Sequence, residues 1–159
     1  MWSKIGDDAK LLRFVQPALL GLIDGTLSTL APMFAAAYVA GAKAAFLVGL
    51  AAAIGAGISM GISEGLSDDG KITNRGSSLI RGSITGSATF VGGAFHALPF
   101  LLSDFQTALI LAYSFVTVEL IVIAWVRKRF MQVSLSSSLI NVTLAGIIVT
   151  VVGVLLGQS

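Results

Sequence analysis

Residues Leu19–Pro32 read LLGLIDGTLSTLAP, an aspartate (Asp24) set inside a run that otherwise suits hydrocarbon. What Asp24 means depends on the solvent of that run, and composition decides the solvent. Of the 159 residues, 55% are hydrophobic and only 11% are charged, with a mean hydropathy of +0.92. A soluble domain of ordinary composition carries about a quarter charged residues. The chain is therefore expected to be an integral membrane protein.

A membrane helix takes roughly 20 mainly apolar residues, and five runs reach that length, at about 14–38, 44–65, 79–102, 105–126 and 138–157. None alternates apolar with polar residues as a barrel strand would. The expected fold class is all-α, one five-helix transmembrane domain over residues 1–159. The N-terminus, MWSKIGDDAKLLRF, lacks a short apolar stretch with a small-residue cleavage site, so no removable signal peptide is expected.

Basic residues set the orientation. Lys4, Lys10 and Arg13 precede the first run, Lys71, Arg75 and Arg81 lie around the second loop, and Arg127, Lys128 and Arg129 fill the fourth. The alternate side carries Lys43 in the first loop and no basic residue in the third loop or after the last run. The expectation is N-terminus cytoplasmic, C-terminus outside. The pI of about 9.2 then reports membrane topology, and no nucleic-acid partner is expected. With no cysteine, disulfides and thiolate metal sites are excluded. One histidine and no cysteine argue against hydrolytic chemistry, and no glycine-rich phosphate loop suggests ATP-driven pumping. The expectation is no enzyme. An odd number of spans does not divide into two inverted halves, so any symmetry would come from a dimer.

Four ionisable groups fall within the spans: Asp24, Glu64, His96 and Glu119. A carboxylate at mid-bilayer costs about 2.5–3.5 kcal/mol on insertion scales. No lysine or arginine is expected at the same hydrocarbon depth, so a proton or a mobile cation must neutralise the acids. That pattern points to an ion pathway. Counting along the helices puts Asp24 near the midplane, Glu64 at the cytoplasmic mouth, Glu119 in the inner third and His96 towards the outside. Met60 and Glu64, four apart, share a helix face. Thioether plus carboxylate favours a transition metal over calcium or magnesium, which prefer all-oxygen sites, so the candidate metal ligands are Asp24, Met60, Glu64 and Glu119.

Pro32 lacks an N–H and leaves the Ser28 carbonyl without its usual donor, one turn from Asp24. An oxygen-lined pocket at a helix bend is one reading and a plain kink the other. Pro99 does the same for Phe95, beside His96. Asp104 stands at a helix boundary as a cap, and Asn141 is expected to make an interhelical hydrogen bond. Small residues recur every four positions: Gly57, Gly61 and Gly65 in the second span, Gly21 and Gly25 beside Asp24, Gly82 and Gly86 in the third. Such stripes bring helix backbones together, and they are expected to press the Met60–Glu64 face against the Asp24 face.

These residues resemble a known family. IDGTLST around Asp24 is similar to the aspartate–glycine motif opening the first span of the vacuolar iron transporter family, and ISMGISEGLS is similar to its SMxxGE-type signature at Met60 and Glu64. The form LIDGTLSTLAPMFAAA most resembles the membrane half of bacterial membrane-bound ferritin-like proteins, in which an erythrin domain precedes the transporter. The resemblance implies export of iron(II), or manganese(II), from the cytoplasm by a homodimer in exchange for protons, with no permanently bound cofactor. Asp24 and Met60 would line the path and Glu64 its mouth. It further implies a bacterial cytoplasmic membrane and a ferritin-like partner domain that these 159 residues do not include. The glutamate-rich insert of plant-type members is replaced here by SDDGKITNRG.

Two other readings stand beside this one. A dimerising membrane anchor for a soluble ferritin-like partner accounts for the glycine stripes and leaves Asp24 and Glu119 unexplained. A carrier of small organic cations would need an aromatic cage, for which the first span offers Phe34 and Tyr38.

Overall fold

The structure is a computed structural model that describes residues 9–159; Lys4 lies outside them. One π-helical turn, Leu11–Val15, leads into a helix that runs to Ser67 and breaks once, at Gly41. We call its halves α1 (16–40) and α2 (42–67). Then come α3 (Ser78–Phe95), a 3-10 turn (Leu98–Leu101), α4 (Phe105–Met131) and α5 (Leu135–Gln158). No strand occurs among the described residues.

Gly41 has φ 83° and ψ −173°, a region essentially closed to other residues, where a side chain would cost about 1–3 kcal/mol. That one residue reverses the chain. A methyl on Gly49 would stand 3.1 Å from Met33 Cγ, and Thr29 and Ala53 both close on Gly93. Both pairs are symmetric about Gly41, so α1 and α2 form an antiparallel hairpin.

α3 lies against both arms. Gly57 and Gly61 of α2 meet Gly82 and Gly86, so closely that a methyl on Gly86 would sit 2.6 Å from the Gly57 carbonyl oxygen. Gly21 and Gly25 of α1 close on the backbone of Thr85, Thr89 and Gly93. The small-residue stripes thus hold α1 and α2 each to α3. This corrects the expectation that they press the Met60–Glu64 face onto the Asp24 face. On the other flank, Gly153 and Gly157 of α5 lie against Ala31 and Ala35, and Gly146 receives Leu120 of α4. Phe34 stacks on Tyr113 with ring centres 4.7 Å apart, and the Tyr38 and Tyr113 hydroxyls are 3.2 Å apart. Both candidate cage aromatics therefore pack with α4 instead of surrounding an acid.

Consecutive helices alternate in direction. Arg13, Arg75, Arg81 and the Arg127–Arg129 run consequently gather at one end, with Lys43 at the other. Side-chain caps start the later helices: Ser77 accepts from the Ile80 N–H, Asp104 from Thr107 at 2.7 Å, and Ser134 from Ser137. Asp104 is the cap its position suggested.

α3 stops at Phe95, short of the expected Leu102. Pro99 can neither donate to the Phe95 carbonyl nor avoid it, so the chain turns at His96, with the Ala97 N–H on Ala94, and continues as a 3-10 turn. Pro32 stays within α1. Three helical stretches are long and apolar enough to cross a membrane: Leu11–Ser67, Phe105–Met131 and Leu135–Gln158. α3, rich in glycine, serine and threonine, is not among them. The fold is that of an all-helical membrane protein.

Candidate functional site

The in-span carboxylates have three different surroundings. Glu64, buried at the basic end of α2, accepts from Arg81 Nε at 2.8 Å and lies 3.0 Å from Arg75. Arg81 is almost wholly buried, with 1% of its side chain exposed. It also donates to the carbonyls of Gly76, at 2.8 Å, and Asp68, at 2.5 Å. The Asp68 carboxylate completes the cluster, 3.6 Å from each guanidinium. Two acids thus face two arginines. Glu64 is therefore not an open carboxylate waiting for a cation, against the expectation that no arginine shares its depth. The end of α2 and the start of α3 meet at the same end of the bundle, which is the sequence signal that would have paired them.

A Thr73 hydroxyl at 2.6 Å and the Gly70 N–H at 2.8 Å hold Asp68. The Thr73 bond, then Gly70, and beyond them the Arg81 and Arg75 charges, keep its carboxyl below the ordinary range despite some burial. A carboxyl lowered in the folded state adds stability above its unfolded value, about pH 4, and loses it as pH falls through the folded value. Asp68→Asn is therefore expected to flatten the acid limb of a stability-versus-pH curve for the detergent-solubilised protein. Its unfolding midpoint should differ most from the wild type near neutral pH and converge on it in acid. A constant offset at every pH would show that Asp68 contributes nothing through its charge.

Glu119 has a partner as well. Its Oε2 lies 2.8 Å from His96 Nδ1, and His96 Nε2 lies 2.8 Å from the Thr29 hydroxyl, which donates to the Gly25 carbonyl. Both ring nitrogens of His96 are therefore engaged, one by the Glu119 carboxyl and the other by the Thr29 hydroxyl. His96 is fully buried. The separate depths expected for His96 and Glu119 are thus corrected: the break after Phe95 brings the imidazole to the level of Thr29, midway along α1.

Asp24 differs from both. Among the described residues the ion-paired acids are Glu64, Asp68, Asp69 and Glu119, and no side chain pairs with Asp24. It is half-buried on a face of α1 that continues through Ser28 and Pro32, both exposed. The register symmetric about Gly41 sets it level with position 58 of α2, within a turn of half-buried Met60. Asp24, Met60, Glu64 and Glu119 do not converge. No three histidine or acidic side chains among the described residues of one subunit can hold a metal together. Asn141, expected to bond across helices, is exposed instead.

Comparison with known proteins adds no further constraint, since no protein-family model, curated protein or solved structure matches this chain.

Proposed function

We propose that this chain is a secondary transporter exporting a divalent transition metal, iron(II) foremost and manganese(II) second, from the cytoplasm in exchange for protons. The reading takes the five helices as five spans of a bacterial cytoplasmic membrane, with the basic end inside. α3, at 18 residues, rises about 27 Å at 1.5 Å per residue, close to the hydrocarbon thickness of about 30 Å.

The observation that carries the proposal is the contrast among the carboxylates. Glu64 has arginines and Glu119 has histidine, while Asp24 has neither and lies on a face its own subunit leaves partly open. In a homodimer with that face on the two-fold axis, two Asp24 carboxylates would supply the two negative charges that balance one divalent ion. Two Met60 thioethers would add the softer ligands that favour iron or manganese over calcium. Metal and protons compete for the same carboxylates, which couples the two flows. Glu64 and Glu119, committed to their own partners, would act at the edges of this path. The glycine stripes behind the membrane-anchor alternative are used within one subunit, so they lend that reading little support.

The test is metal flux into proteoliposomes under an imposed proton gradient, comparing iron(II), manganese(II) and calcium. Gradient-dependent flux of the first two over calcium is expected. Flux of none of them, from protein that is folded and dimeric, would overturn the proposal.

A further inference from the structure

A crevice of about 460 Å³ opens between α1, α4 and α5 at the basic end of the bundle. Its rim is polar, formed by Gln16, Arg75, Arg127 and Asn141. Its walls are apolar: Leu20, Ile23 and Leu27 descend one face of α1, opposite Val142 and Ala145 of α5. From Gln16 to Leu27 the wall runs about 16 Å at 1.5 Å per residue.

The rim carries unspent polar capacity. Among the described residues no acidic side chain lines the crevice. Glu64 and Asp68 are matched by Arg75 and Arg81, so Arg127 adds a positive charge that no acid among the described residues balances. Arg75 Nε is buried without a hydrogen-bond partner among the described residues, a donor lacking an acceptor. Gln16 Oε1 is likewise buried and unpartnered among those residues, an acceptor lacking a donor. Leaving such groups unsatisfied is costly. One molecule with an anionic oxygen, a hydroxyl and a long apolar tail meets all these demands.

We propose that this crevice binds an anionic glycerophospholipid, its phosphodiester between Arg75 and Arg127, a headgroup hydroxyl on Gln16 and an acyl chain along the α1 wall. Basic pockets between membrane helices are suited to such headgroups, and guanidinium groups to phosphate oxygens. Inorganic phosphate offers the same oxygens to the rim but leaves the apolar wall uncovered. The proposal is independent of metal transport.

Native mass spectrometry of the full chain, delipidated in detergent, tests it. Phosphatidylglycerol, phosphatidylcholine with the same acyl chains, and inorganic phosphate would be titrated separately and in competition. One phosphatidylglycerol per subunit is expected, preferred over phosphatidylcholine. Arg127→Gln, at the partly exposed rim, should weaken phosphatidylglycerol about fivefold and leave phosphatidylcholine unchanged. Ala145→Phe, filling the groove, should weaken both lipids. Equal binding of the two lipids by the wild type, or undiminished selectivity in Arg127→Gln, would overturn the proposal. Displacement of the lipid by phosphate at equal concentration would reduce the site to an anion site and overturn it too.

Discussion

Arg81→Met is expected to destabilise the protein by about 3–5 kcal/mol, the usual consequence of removing one partner of a buried ion pair. The cost has little to do with attraction between opposite charges. It arises from what stays behind: Glu64, buried with only the more exposed Arg75 beside it, and the carbonyls of Gly76 and Asp68 without their donor. Arg81 ties the end of α2 to the start of α3 through three bonds at once. The measurement is the midpoint of denaturant or thermal unfolding in detergent. A double substitution, Arg81→Met with Glu64→Gln, should recover part of the loss, because the stranded charge is gone. If Arg81→Met melts with the wild type, the cluster is ornamental and the α2–α3 junction is held by glycine packing alone.

The sequence made the helical class plain, because five apolar runs with few charges leave no other spanning solution. The turn at Gly41 was legible to within a few residues, since glycine beside Lys43 is the main interruption in a long apolar stretch. What the sequence concealed was pairing. Glu64 and Arg81 are seventeen apart, and their contact exists only because α2 and α3 are antiparallel with glycines at the seam. His96 and Glu119 are separated in depth only if α3 runs through Pro99 as an unbroken helix. Once the helix ends at Phe95, the imidazole turns in towards Thr29 and Glu119. Motif reasoning placed Asp24, Met60, Glu64 and Glu119 in one ligand set, as three acids of the spans and the thioether one turn from Glu64. Partner geometry divides that set, and the division singles out Asp24.

Asp24→Asn should show the opposite pattern to Arg81→Met: stability kept, transport lost. Asp24 has no hydrogen-bonded or ionic partner among the described residues, so replacing its carboxylate by an isosteric amide strands nothing and relieves a desolvated acid. The unfolding midpoint should hold or rise slightly. Flux is another matter. Each uncompensated charge near the bilayer centre costs about 2.5–3.5 kcal/mol, which is on the order of a hundredfold in occupancy per carboxylate removed. In a symmetric dimer both carboxylates go together. Gradient-driven iron(II) or manganese(II) flux should therefore fall below detection, and Asp24→Glu, which keeps the charge but moves it outward by one methylene, should retain part of it. Transport at the wild-type rate by the amide variant would remove Asp24 from the path and return the search to the His96–Glu119 pair. Loss of folding would instead mean that Asp24 serves a structural contact between subunits, a role that the glutamate variant would not rescue.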